Sequence, residues 1–413
     1  MNINNTISIL LISVSSVAAK AADDGTRLSL AQCIALAAEH NLALQAADIQ
    51  VKRARTLQGT AWDIERTELS LSQDPTSGGS PDNALSLSQT IEFPTVYAAR
   101  HSQLKAETRT EESRRNVTAV QIRADIAAAY WQLVYCHERR AIIAAQDSLL
   151  QRYANIAARR YEAGESRQLE SLSATRMLRE NHMELAAAQS KLAAAQHRLA
   201  AYIGTDIAVV PSDARLTPIS YQPREFVYAA TAEGELAYNQ LVVADKALRV
   251  AKNGYAPSLS VALKNQLVIS GWDPYHENRS RYTGGNFMGF EVGIGVPLFF
   301  GATKAKVKAA RQDREIAELN MHREQLIRQK DYDAELARYT AAYNRMAYYE
   351  QQGTASAAEI ARLGTVEYEN GEISYIEYIN ALQESIDSRL KRASAINDYN
   401  QTVINIKRLT GEI

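Results

Sequence analysis

The sequence predicts a mainly α-helical protein with a small membrane β part: an internally duplicated chain that forms a long α-helical barrel plus a transmembrane β-barrel completed by trimerisation. Three observations predict it. The composition is that of long helices, with 19 Gly and 9 Pro among 413 residues and aromatics at 7%, which excludes collagen-like and disordered classes. Two segments 207 residues apart read alike, YEAGESRQLESLSA from Tyr161 and YENGEISYIEYINA from Tyr368. Four short stretches of alternating apolar and polar residues interrupt the helical pattern.

At the N-terminus, an apolar stretch from Ile7 to Val17 precedes Ala19-Lys20-Ala21, a small-x-small site, so residues 1–21 read as a signal peptide. No Cys follows that site, which argues against a lipid-modified N-terminus. Beyond it no window holds the roughly 18 apolar residues of a membrane-spanning helix. Any membrane element therefore has to be β, whose alternation keeps mean hydropathy low, −0.30 over the chain. The 46 basic and 47 acidic side chains nearly cancel, which removes nucleic acid as a partner. Cys33 and Cys136 lie in helical patterns without metal-ligand spacing and read as packing residues, with a disulfide left open.

Repeat one covers 28–204 and repeat two 232–411. Each reads helix, strand, loop, strand, long helix, turn, helix. The segment 205–231, with Pro211, Pro218 and Pro223, is an equatorial linker, expected as a belt around the helical barrel. A helix of about forty residues follows each Tyr-x-x-Gly-Glu turn and ends on a glycine, Gly204 or Gly411, as a C-terminal cap does. A second match, at an offset near 203, pairs EFPTVYAARHSQLKAE from Glu92 with GVPLFFGATKAKVKAA from Gly295 and places Pro94 and Pro297 at strand-to-helix corners.

The helical barrel is assigned to 28–64, 97–204, 232–255 and 302–411. The first long helix, from Tyr97 to Arg160, spans about 95 Å at 1.5 Å per residue, longer than a globular core can use. Leu28 to Thr60 and Glu165 to Gly204, laid end to end, roughly match it. Ala232 to Tyr255 and Glu372 to Thr410 do the same against Ala302 to Asn370, so the chain builds paired struts. Ile122, Ala129, Cys136, Ile143, Leu150 and Ala157 recur every seven residues along the first long helix, with Ile126, Leu133, Ala154 and Tyr161 in the second register. Arg140 and Asp147 interrupt that register.

The strands fall at about 66–93 and 257–297, separated by the Gly-, Pro- and Asn-rich loops DPTSGGSPDN and SGWDPYHENRSRYTGG. Lengths of about ten residues suit tilted membrane strands. Four strands cannot close a barrel, and an open edge in hydrocarbon leaves backbone groups unpaired at several kcal/mol each. Strands therefore come from other copies. Two copies make eight and three make twelve, and the twelve-strand trimer leaves an open lumen.

The duplicated plan, the paired Tyr-x-x-Gly-Glu turns and the two prolines together resemble the TolC family of outer-membrane efflux proteins, over nearly the whole mature chain. The resemblance implies an outer-membrane channel of a tripartite efflux pump. Such a channel is a homotrimer in outer-membrane lipid, with its helical part in the periplasm, and receives substrate from an inner-membrane pump and a periplasmic adaptor. By the same resemblance Tyr161, Gly164, Glu165, Tyr368, Gly371 and Glu372 form the adaptor-docking tip. Glu170, Glu377 and Asn380 then form the pore constriction, where three copies of Glu377 make a negative ring that favours cations. Asn380 departs from the family's acidic pattern, and Ile373 stands where some members carry a gate-linking Arg. The corner EFPTVYAAR resembles the heavy-metal branch, which works with resistance-nodulation-division pumps and implies metal cations as cargo.

Two other readings stay open: the duct of a type I protein secretion system, and a periplasmic helical adaptor or scaffold, although an adaptor carries one hairpin where this chain has two. No enzyme is expected, since there is no G-x-S-x-G, no phosphate-cradling loop and no helix with a two-His metal signature. Nor is a cofactor or resident metal, because His40, His101, His137, His182, His197, His276 and His322 form no H-x-x-x-H or Cys/His cluster.

Overall fold

The computed structural model describes residues 26–74, 82–213, 215–268 and 286–413. The expected signal peptide and most of both Gly/Pro-rich loops lie outside the described residues. The chain opens with β1 (Thr26–Leu28) and α1 (Leu30–His40). Ser29 caps α1 with a reciprocal pair: Gln32 N–H donates to its hydroxyl, and Ser29 N–H donates to the Gln32 side chain. Asn41 then takes an extended backbone and starts α2 (Leu42–Leu57) by accepting from the N–H groups of Ala43 and Leu44. The single helix expected over Leu28–Thr60 is thus two helices with a joint, followed by a tight 3-10 turn at Gln58–Trp62.

A hairpin of β2 (Glu68–Asp74) and β3 (Asp82–Glu92) leads into α3 (Pro94–Glu162), one unbroken helix of 69 residues. Pro94 is its first residue, where a missing N–H costs nothing and a fixed φ helps. After a turn come α4 (Gln168–Ile203), β4 (Val209–Pro211) and a linker to α5 (Ala232–Asn253). The second hairpin, β5 (Ser258–Val268) and β6 (Asn286–Gly295), leads into α6 (Gly301–Tyr348). A π-helical turn at Tyr349–Gly353 joins α6 to α7 (Thr354–Glu369), and α8 (Tyr375–Thr410) completes the chain.

From Gly301 to Glu369 the second strut matches α3 residue for residue, so Gly301 and not Pro297 stands at the position of Pro94. The two prolines are therefore offset in register: Pro94 is the first residue of α3, whereas Pro297 lies in the linker between β6 and α6. Within the second strut, Thr354 donates to Tyr349 O (2.8 Å) and Ser388 donates to Gly353 O (3.1 Å), which satisfies carbonyls the π-turn would otherwise strand.

The helices pack with α3 at the centre, flanked by α2 and α5 near the sheet and by α4 and α8 further down, with α6 against α5 and α8. The heptad positions Ile122, Ala129, Cys136, Ile143, Leu150 and Ala157 are all buried, as are Ile126, Leu133 and Ala154. Tyr161 of the second register is exposed, in the last turn of α3. Cys33 and Cys136 lie in the same buried cluster as free thiols. Burial pushes the Cys33 thiol up to about 11 and Cys136 upward, so both are inert packing groups.

Between the repeats, β4 pairs parallel with β1, and the rest of the linker crosses the helices as a strap. A segment without its own ladder must find partners for its polar backbone elsewhere. Tyr399 and Tyr339 donate to Ile219 O (3.0 Å) and Tyr221 O (3.2 Å), and Tyr332 donates to Arg224 O. Asn400, fully buried, accepts from Ile219 N–H (2.8 Å) and donates to Thr217 O (2.9 Å). Two elements of the sequence repeat are thereby tied across the strap.

Candidate functional site

Two regions carry the chemistry, the sheet at one end and the helical turns at the other. The sheet has the order β2-β3-β5-β6 with every neighbour antiparallel, so β2 and β6 are its free edges. Residues directly opposite share a face. Leu69, Leu87, Leu263 and Phe290 form one cross-strand row; Ile91, Leu259 and Ile294 form another, and Val261 faces Val292. The reverse face carries Ser70, Ser86, Lys264 and Gly289 in one row and Ser88, Ala262 and Glu291 in the next. Lys264 is hydrogen-bonded to Glu291, and the Ser70 and Ser86 hydroxyls meet at 2.7 Å. The apolar residues are exposed although nothing in a soluble sheet calls for such a face: Met288, Phe290 and Ile294 are each more than 60% accessible.

Both long struts close with the same hydrogen bonds. Gly164 N–H donates to Tyr161 O (3.0 Å) and Glu165 N–H to Arg160 O (2.9 Å); Gly371 N–H donates to Tyr368 O (3.1 Å) and Glu372 N–H to Glu367 O (2.8 Å). This is the Schellman arrangement, and it needs the left-handed φ of 74° and 75° that Gly164 and Gly371 supply. Around both glycines a Cβ would meet only open space, so backbone conformation alone selects them.

Past the turns the two repeats diverge. Ser374 caps α8, and Glu377 reaches back to accept from Ser374 N–H and its hydroxyl, each at 2.7 Å. Those hydrogen bonds hold the Glu377 carboxyl below the usual carboxylate range. In the first repeat Arg167 occupies the cap position and offers no side-chain bond, so Glu170 lacks the same tether. Glu377 and Asn380 are exposed, and Glu170 is half-buried.

Tyr161 and Glu165 are exposed at the first turn, but their repeat partner Tyr368 is not equivalent. It stacks on Tyr378 at 4.7 Å and accepts from the Arg160 guanidinium at 3.0 Å. Tyr153 stacks on Tyr375 at 4.5 Å beside this pair. Four tyrosines thus join the first hairpin to the second just above the tip, a cluster that single-repeat reasoning missed. The signal was available in the doubled Tyr-x-x-Tyr of Tyr375 and Tyr378. Among the described residues no group of three or more His, Cys, Asp or Glu side chains is placed to hold a metal ion, and no helix is long and apolar enough to cross a membrane.

A sheet apolar on one face and polar on the other, set on helical struts far longer than a globular core, defines a membrane channel of the duct type. The model of the outer membrane efflux protein family matches residues 34–205 and 237–412, and the chain belongs to that family. Among solved structures, it is similar to CusC, at 16% identity over 94% of this chain and 92% of that one, with a TM-score of 0.76. It is also similar to the CmeC channel of Campylobacter jejuni, at 15% identity over 92% and 85% with a TM-score of 0.71. The MtrE channel of Neisseria gonorrhoeae gives 16% over 92% and 88%, with a TM-score of 0.72. No curated protein matches in sequence. The chain is an outer-membrane efflux channel with a helical part in the periplasm.

Proposed function

We propose that three copies of this chain form a twelve-strand barrel over a shared helical tunnel. That tunnel takes substrate from an inner-membrane pump of the resistance-nodulation-division type through a periplasmic adaptor. One observation carries the reading: β2 and β6 are free edges of a sheet whose one face is apolar. In hydrocarbon each edge has to be paired, and pairing β6 of one copy with β2 of the next does so while putting the Ser, Gly and Lys264–Glu291 face on the lumen. The barrel strands are then 66–93 and 257–297, and 205–231 is the equatorial belt.

At the other end Tyr161, Gly164, Glu165, Gly371 and Glu372 form the docking tip, with Tyr368 bracing it from inside. Glu377, kept ionised by Ser374, forms a ring of three negative charges, with Glu170 and Asn380 nearby in sequence register. Substitution tests the tip cleanly because Gly164 and Gly371 have open space around them. Gly164→Trp and Gly371→Trp should abolish export while trimers still assemble, and Gly371→Asn, which tolerates the same backbone, should export normally. Normal export by both Trp variants would remove the docking role. Glu377→Gln should lower cation selectivity in planar bilayers, and an unchanged selectivity would remove the ring. The corner segment EFPTVYAAR supports heavy-metal cations as cargo. A deletion strain should then become sensitive to metal salts before drugs, and loss of a secreted protein instead would favour the type I duct.

A further inference from the structure

The corner between β6 and α6 carries chemistry that neither the sheet nor the tunnel uses. Val296, Leu298, Phe299 and Phe300 are exposed, Leu298 at 77% and Phe299 at 93%. Directly after them α6 starts with four cations and no anion: Lys304, Lys306, Lys308 and Arg311, all exposed, before the first acid at Asp313. Among the described residues none of the four forms an ion pair. Lys304, Lys308 and Arg311 share one face of the helix.

Local physics opposes this arrangement. The N-terminal end of a helix is its positive pole, α6 has no acidic residue in its first turn, and like charges four apart repel. The fold does not demand it either. In the first repeat the positions 207 residues earlier are Tyr97, Ala99, His101 and Leu104; Tyr97 is buried and stacks on Trp62 at 5.6 Å, and the nearby Arg100 is paired with Glu92. Charge of one sign that is unpaired among the described residues points to an anionic partner. Along α6 the cations lie about 5–15 Å below the end of the sheet. That is the depth of a headgroup layer beneath a hydrocarbon band whose edge is marked by the apolar Leu298–Phe300.

We propose that this corner is an interfacial anchor for anionic phospholipid. Leu298 and Phe299 enter the boundary of the periplasm-facing leaflet, and Lys304, Lys306, Lys308 and Arg311 hold phosphate headgroups against the open N-terminal end of α6. The anchor rests on the reading of the sheet as part of a membrane barrel. It gives the channel a fixed depth in the membrane, against which the tunnel can be pushed from below.

The test uses full-length trimers in nanodiscs that contain phosphatidylcholine with and without phosphatidylglycerol, with the lipid that stays bound after detergent transfer counted by native mass spectrometry. Each cation near a headgroup layer is worth about fivefold in partitioning. The combined variant Lys304→Gln, Lys308→Gln, Arg311→Gln should therefore lose its preference for phosphatidylglycerol by about tenfold or more, and raised salt should weaken the preference of the parent. Lys330→Gln, at a cation paired with Asp333 and much further down α6, should keep it. A combined variant that retains the full preference overturns the anchor. So does one that no longer forms trimers, because the cations then face a second copy of the chain. A parent chain released from membranes by salt as a monomer removes the barrel reading itself, a result distinct from either.

Discussion

The two faces of the sheet make opposite demands on a charge, and adjacent residues of one strand can measure both. Leu263 lies in the middle of β5, in the apolar row with Leu69, Leu87 and Phe290; Ala262 points to the other side, opposite Ser88 and Glu291. An Arg facing lipid near the bilayer midplane costs about 2–4 kcal/mol. In the proposed trimer Leu263→Arg is repeated three times, so the barrel would lose about 6–12 kcal/mol, comparable to the whole stability of many folded domains. Ala262→Arg exposes its charge to the lumen and gains a cross-strand pair with Glu291 worth about 0.2–1 kcal/mol. The assay is the amount of heat-modifiable trimer in the outer membrane, followed by single-channel conductance of whatever assembles. Leu263→Arg should reduce trimer strongly. Ala262→Arg should assemble normally but conduct less and favour anions. The reverse pattern, with Ala262→Arg failing to assemble and Leu263→Arg inserting at the parent level, would refute the assignment of faces.

Gly204 and Gly164 both take left-handed φ, but a Cβ at Gly204 would meet His40 O at 2.6 Å, while Gly164 faces open space. In urea titrations followed by circular dichroism, Gly164→Ala should therefore cost about 1 kcal/mol and Gly204→Ala about 2–3 kcal/mol more, the difference being the clash with backbone at the α1–α2 joint. Asn400→Ala strands the N–H of Ile219 and the carbonyl of Thr217 and should cost about 2–4 kcal/mol, with faster proteolysis at the strap as the accompanying sign. His137 is held below the usual imidazole range by burial and by Arg140, and its Nε2 is buried without a partner among the described residues. Because the folded state disfavours its proton, stability is complete above the ordinary His value of about 6.5. It falls below that value by at most about 1.4 kcal/mol per pH unit, and His137→Phe should flatten a melting-temperature profile between pH 7 and pH 5.

Repetition and alternation made most of the architecture legible. The 207-residue offset located both turns, both terminal glycines and two struts that prove equal in length, because a duplicated fold keeps its hydrogen-bonded caps where its sequence keeps Gly. The heptad seam through Cys136 and Leu150 was readable since each of those positions is buried by an immediate helical neighbour. Three features were not legible, each decided by contacts distant in sequence. Asn41 reads as an ordinary helix-surface residue until Tyr202 O accepts from its Nδ2, which fixes a joint between α1 and α2. Tyr368 resembles Tyr161 letter for letter, yet only Tyr368 has Tyr378 and Arg160 to pack it. Pro297 matched Pro94 in alignment, but β6 ends and α6 begins with the linker Val296–Phe300 between them, which moves the helix start to Gly301. The turn glycines were found by pattern, whereas the tyrosine cluster beside them depends on which helices lie side by side.

On the proposed reading, four strands with two free edges are one third of a membrane barrel. The most direct measurement is the number of chains in the detergent-solubilised particle, by light scattering with the detergent mass subtracted, taken on the same sample that is then reconstituted into planar bilayers. Three chains per particle and a conducting pore are the predicted result; a particle of one or two chains, or a three-chain particle that fails to span the bilayer, would contradict it.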